Sequence, residues 1–148
     1  TRRMHAIDLV PDAAARLAEL TGYEVHLPDD CVGDSPRKVI HDLRAGQICL
    51  LENLRFHEEE EANDDGFAKQ LAELCDVYVN DAFGAAHRAH ASTEGVAKLL
   101  PAYPGLSMER ELSALELALG KPERPVMGIV GGSKVSTKLD LLENLTQK

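Results

Sequence analysis

Gly131-Gly132-Ser133-Lys134-Val135-Ser136-Thr137-Lys138 combines the residue types that hold a phosphate. The glycine pair lets backbone approach a ligand closely. Ser133 is suited to capping a helix, whose first N–H groups lack partners and favour an anion. Lys134 and Lys138 stand four apart, so both ammonium groups leave one face of the first turns. The segment is not a Walker A loop, because Ser133 separates Gly132 from Lys134 and the upstream glycine is missing. Taken alone it fits a plain strand-to-helix turn with two solvated lysines slightly better.

Two further loops carry cations. Glu52-Asn53-Leu54-Arg55-Phe56-His57 follows the apolar run ending at Leu51. Asn80-Asp81-Ala82-Phe83-Gly84-Ala85-Ala86-His87-Arg88-Ala89-His90-Ala91-Ser92 follows the run ending at Val79. Arg55 and Arg88 each offer two N–H groups to a carboxylate or phosphate. The plainer alternatives are a surface arginine on an acidic loop for Arg55 and a pair with Asp81 for Arg88. His87 and His90 form HxxH without a carboxylate or cysteine at metal-ligand spacing, which favours structural histidines, with His87 helping the anion site. Glu58 to Glu61 reads as a solvated loop rather than a metal site, and His57 beside it makes no HExxH.

These loops gain meaning from the elements that must position them. Helices are expected from Pro11 to Leu20 with a stop at Gly22, from Ser35-Pro36 through Leu43, and from Asp64 or Asp65 through Phe67, Leu71 and Leu74. A short helix is expected over Thr93 to Leu100. A longer one is expected from about Ser107 to Leu119, with Leu112, Leu115 and Leu119 inward. Strands are expected at Tyr23–Leu27, Gln47–Leu51, Asp76–Asn80 and Pro125–Val130, and a last helix through Val135, Leu139, Leu142 and Leu145. Pro101 to Pro125 reads as a connector holding one long helix. Alternating strands and helices predict an α/β protein, a doubly wound, Rossmann-like parallel sheet with helices on both faces. Ligands in such folds bind beyond the carboxyl ends of the strands, where these loops lie.

The bulk composition narrows the partners. The 148 residues carry a net charge of −9, which argues against nucleic acid. With 28% charged and 44% hydrophobic residues the composition is that of an ordinary soluble domain. No apolar run approaches the ~20 residues of a membrane span, and Thr1-Arg2-Arg3-Met4-His5 shows no signal peptide. Cys31, Cys49 and Cys75 are odd in number and form no CxxC. Cys49 and Cys75 are expected as buried free thiols, in a reducing compartment.

Three of these segments together resemble one family. Leu50-Leu51-Glu52-Asn53-Leu54-Arg55-Phe56-His57, Asp76 through Ser92, and Gly131 through Lys138 are similar to phosphoglycerate kinase, in the family's order and at fitting separations. Asp29-Asp30-Cys31-Val32-Gly33 and Met108-Glu109-Arg110-Glu111-Leu112 add to the likeness, which runs from about Pro11 onward. The resemblance implies reversible phosphoryl transfer from 1,3-bisphosphoglycerate to ADP, giving 3-phosphoglycerate and ATP, in glycolysis and the cytoplasm. It implies Arg55, Arg88 and His87 as glycerate-binding residues, Lys134 at the transferring phosphoryl group, and Lys138 with Gly131 and Gly132 at the nucleotide. Lys134 and Lys138 are thereby the catalytic candidates. Mg2+ is implied as arriving with ADP or ATP, with no protein metal site in this segment, and the full-length protein as a monomer binding small molecules, without nucleic acid or membrane.

The family's opening Asp-x-Asn strand and its His-x-Gly-Arg motif have no counterpart here, nor do its later nucleotide loops. The expectation is therefore an internal segment truncated at both ends. Residues 1–104 would be a partial glycerate-binding domain, 105–124 an interdomain helix and connector, and 125–148 the first βα unit of a nucleotide domain. Alone it is expected to be inactive. The competing reading is a non-enzymatic phosphate- or anion-binding α/β module.

Overall fold

A computed structural model of the chain describes residues 9–120, 122–127, 129 and 143. The expected site residues Gly131, Gly132, Lys134 and Lys138, together with the last helix apart from Glu143, lie outside the described residues. The chain divides into two compact units, the first ending at Gly105 and the second beginning at Leu106.

In the first unit α1 spans Leu9–Thr21. It ends where Gly22 takes a positive φ of 70° while its N–H still bonds Ala18 O at 2.8 Å. β1 (Val25–His26) follows, then α2 (Asp34–Asp42) and β2 (Ile48–Cys49). The two strands pair in parallel, Val25 opposite Ile48 and His26 opposite Cys49. A 3-10 turn at Leu54–Phe56 leads into α3 (Glu58–Glu61) and α4 (Asp65–Ala72). Asp64 caps α4 by accepting the Phe67 N–H at 2.8 Å. β3 (Tyr78–Asn80) is followed by a 3-10 turn at Phe83–Ala85, a π turn at Ala91–Gly95, α5 (Val96–Leu99) and β4 (Ala102–Pro104). β3 and β4 pair in parallel from Tyr78–Ala102 to Asn80–Pro104.

The parallel α/β class is as expected, and among the described residues its ladders fall into two pairs, β1–β2 and β3–β4. β4 lies inside the stretch read as a connector. Prolines at 101 and 104 disguised it, and a strand only three residues long tolerates proline at its end. The expected helix over Thr93–Leu100 starts instead as the π turn, because His90 O accepts from both Glu94 N (2.8 Å) and Gly95 N (3.2 Å).

Phe67, Ala68 and Leu71 on α4 meet Cys31, Ala91 and Val96 in the core, with Val32, Leu51, Leu54, Tyr78 and Leu100 packed around them. Burying a side chain such as Phe67 or Leu71 stabilises by about 1.5–3 kcal/mol. Gly95 is required where the π turn crosses α4: a Cβ there would sit 2.6 Å from the Ala68 Cβ.

In the second unit α6 spans Leu106–Leu119, and Met108 is its buried residue. Leu112, Leu115 and Leu119 are exposed by 50%, 43% and 39%, so the inward face expected for them is corrected. Helical spacing gave them a common stripe, but spacing does not say how deeply that stripe is buried. Pro125–Met127 and Ile129, expected in a strand, have no ladder partner among the described residues.

The cysteine expectation is also corrected. Cys31 is fully buried, Cys49 is half-buried and Cys75 is exposed. Cys31 sits on the loop that closes over α4, whereas Cys75 falls beyond the end of that helix.

Candidate functional site

Both arginine loops leave their strands through an asparagine-built turn. Asn53 Oδ1 accepts the Arg55 N–H at 3.0 Å and caps the turn Leu54–Phe56. Asn80 Oδ1 accepts the Ala82 N–H at 3.0 Å. Such side-chain turns bend the chain sharply after a strand, and each arginine follows one of them in sequence.

Arg55 is exposed and lines a cavity of about 330 Å³ with Leu51, Asn53, Glu60, Ser92 and Thr93 among its walls. Its Nη1 donates to Glu61 Oε1 at 2.7 Å, and its Nε lies 4.0 Å from Glu60 Oε1. The hydrogen bond and charge of Arg55 hold the Glu61 carboxyl below its usual range. Arg88 lines a second cavity, of about 400 Å³, with Asn80, His87, Thr93 and Glu94. Its Nε donates to His87 Nε2 at 3.2 Å, which fixes that nitrogen of the imidazole as an acceptor. Thr93 belongs to both cavities. Its hydroxyl donates to Arg88 O at 2.7 Å and accepts from His90 N at 3.1 Å. The fold thus brings Arg55, Arg88 and His87 to adjoining hollows.

The acidic run is corrected from a solvated loop to the one-turn helix α3, with Glu60 only 1% exposed. Glu60 Oε2 accepts the Ser92 N–H at 2.9 Å and Oε1 accepts the Ser92 hydroxyl at 2.6 Å. His90, 8% exposed, places Nδ1 3.9 Å from Glu60 Oε1. Sequence reasoning missed Glu60, Ser92 and Thr93. Four consecutive glutamates give no signal of which one turns inward.

A third cluster lies beside the core. Asp30 Oδ1 is 2.7 Å from His57 Nε2 and accepts the Cys31 N–H at 2.6 Å, while the His57 ring packs on Phe67 with centroids 5.2 Å apart. Burial would push the Asp30 carboxyl up, but its bonds from His57 and the Cys31 amide outweigh this and lower it. Burial, and then the Asp30 carboxylate, push the Cys31 thiol up to about 12. The ligand-type atoms of Asp30, Cys31 and His57 lie within 4.8 Å of one another. A protonated thiol and an aspartate already engaged by imidazole make this a structural knot tying the Asp30 loop to the Arg55 loop.

Fold and site together define a parallel α/β protein with an arginine on each of two loops that follow its strands. No helix among the described residues is long and apolar enough to cross a membrane. The phosphoglycerate kinase family model matches residues 5–148, and the chain belongs to that family. It is 65% identical over 135 residues to the phosphoglycerate kinase of Caulobacter vibrioides, covering 91% of this chain and 34% of that protein. It is 56% identical over 137 residues to that of an Anaeromyxobacter species, covering 92% and 35%. The chain thus spans about a third of the length of the curated relatives it matches. The crystal structure of phosphoglycerate kinase from Pyrococcus horikoshii superposes with a TM-score of 0.78 at 34% identity, over 93% of this chain and 36% of that one. The structure from Coxiella burnetii gives 0.75 at 42% identity, over 92% and 33%.

Proposed function

We propose that this chain supplies the glycerate side, and the first phosphate-binding turn of the nucleotide side, of a phosphoglycerate kinase. The whole protein transfers a phosphoryl group between 1,3-bisphosphoglycerate and ADP, giving 3-phosphoglycerate and ATP, in the cytoplasm. Arg55, Arg88 and His87 hold the glycerate substrate. Lys134 steadies the migrating phosphoryl group, and Lys138 with Gly131 and Gly132 takes the nucleotide phosphates. Mg2+ enters as part of the nucleotide substrate. Residues up to 104 form the glycerate domain, 105–124 the connector, and 125–148 begin the nucleotide domain.

The observation that carries this reading is the pair of arginines in adjoining cavities that share Thr93. Phosphoryl transfer asks little covalent chemistry of a protein; it needs the two oxygens aligned and the charge on the moving group neutralised. Guanidinium groups on rigid strand-end turns position an acidic substrate without a nucleophile of their own. His87, accepting from Arg88, keeps that guanidinium turned along the loop. Binding of a charged ligand requires Arg55 to exchange Glu61, an exposed and weakly held partner, for the substrate.

Separate calorimetric titrations with 3-phosphoglycerate and Mg-ATP, and a coupled turnover assay, test the reading. The full-length protein is expected to bind both and turn over. The 148-residue chain is expected to show no turnover above background. Binding of 3-phosphoglycerate by a full-length protein that takes no nucleotide would favour the non-enzymatic anion module instead.

A further inference from the structure

We infer that Glu60 is a positioning residue of the glycerate site, an inference that rests on the reading just given. It is buried in the wall of the Arg55 cavity. It links the two loops that do the gripping. The carboxylate is 1% exposed, and a buried charge persists only where neighbours compensate it. Those neighbours come from both sides of the site. Ser92 gives its amide and hydroxyl from the Arg88 loop, Arg55 brings Nε to 4.0 Å from the other loop, and His90 Nδ1 lies at 3.9 Å. That His90 nitrogen has no hydrogen-bond partner among the described residues.

The chain of contacts then reaches the second arginine. Ser92 adjoins Thr93, and the Thr93 hydroxyl bonds the Arg88 carbonyl at 2.7 Å. Arg55 is thus held on two sides by different kinds of acid. Glu61 is exposed and exchanges readily; Glu60 is buried and stays. When an anion replaces Glu61, the Nε edge of Arg55 remains against Glu60, which sets the direction in which the guanidinium meets its ligand.

The sign of one substitution separates positioning from simple electrostatics. Glu60→Gln keeps the shape, and the amide still offers an oxygen to one Ser92 donor and an N–H to the Ser92 hydroxyl. It removes a negative charge near an anion site. If Glu60 were a bystander, loss of that charge would strengthen binding of any anion. If it positions Arg55, binding weakens. The experiment is titration of the full-length protein with 3-phosphoglycerate and with inorganic phosphate, alongside the thermal midpoint. Expected results are about tenfold weaker 3-phosphoglycerate binding for Glu60→Gln, the coupling seen between neighbouring charged groups, with a nearly unchanged midpoint. In an Arg55→Ala background the same change should weaken binding much less. Ser92→Ala, which removes the hydroxyl contact to Glu60 without altering charge and leaves the amide contact in place, should also weaken binding, by less. Tighter or unchanged binding in Glu60→Gln, or an equal loss with and without Arg55, overturns the inference. If the wild-type protein ignores 3-phosphoglycerate, the site reading itself falls, and the inference with it.

Discussion

His57 Nε2 stands 2.7 Å from Asp30 Oδ1, across 27 residues of sequence, and this contact ties the Arg55 turn to the loop ahead of α2. It makes stability depend on pH from the acid side. The Asp30 carboxyl is lowered in the folded state from its ordinary 3.8. The contribution is therefore full above that value and is lost as pH falls through the depressed folded one. Urea unfolding measured between neutral and strongly acid pH should show this slope, and Asp30→Asn should flatten it. A hydrogen bond of this kind contributes about 0.5–1.5 kcal/mol. An unchanged acid limb in Asp30→Asn would remove Asp30 from the explanation.

Cys31 makes the opposite prediction at high pH. Its thiol is pushed up to about 12 from 9.0. The folded state favours the proton, so this contribution holds below about pH 9 and declines as pH rises toward 12. Reactivity gives a second check. With a disulfide reagent at neutral pH, exposed Cys75 should be labelled first and Cys31 only when the chain unfolds. Mass spectrometry of the early product would show which residue carries the label.

Arg88→Ala in the full-length protein should weaken 3-phosphoglycerate binding by about 1.5–3 kcal/mol, the range for a charge-assisted hydrogen bond. Mg-ATP affinity should barely move. Calorimetry with each ligand alone distinguishes this from a general loss of fold, which would lower both.

Glu61→Gln should act in reverse. It takes away the exposed partner that occupies Arg55 Nη1 and frees the guanidinium for an anion. A modest tightening for 3-phosphoglycerate is expected, largest at low salt and fading as ionic strength rises. Weaker binding at every salt concentration would mean that Glu61 orients Arg55 rather than competing for it.

Gly95→Ala should cost about 1–3 kcal/mol, because the added methyl would lie 2.6 Å from the Ala68 Cβ and 3.1 Å from Asn63 Oδ1. Thermal unfolding measures this. Ala68→Gly in the same chain should recover part of the loss, less its own cost in helix α4.

Much of this was legible because local chemistry and tertiary structure agree. Asp64 announces α4, and the spacing of Phe67 and Leu71 announces the face it buries. Gly22 marks the end of α1. The cationic turns were found because Arg55 and Arg88 each follow an apolar run, and the fold class says that such turns carry ligands. Other features follow from partners far away in sequence. Which of Glu58, Glu59, Glu60 and Glu61 faces inward is decided by Ser92. That Ala102–Pro104 is a strand is decided by the free edge of Tyr78–Asn80. Leu112, Leu115 and Leu119 have helical spacing, but spacing identifies a stripe without saying what will lie on it.

Under the proposed function, Thr93 bears on the size of the ligand. It is the threshold between two hollows, each with one guanidinium on its wall. On the proposed reading, a compact ion meets one guanidinium and a short molecule charged at both tips meets two. On that reading the threonine common to both walls makes the surface sensitive to ligand length as well as to charge.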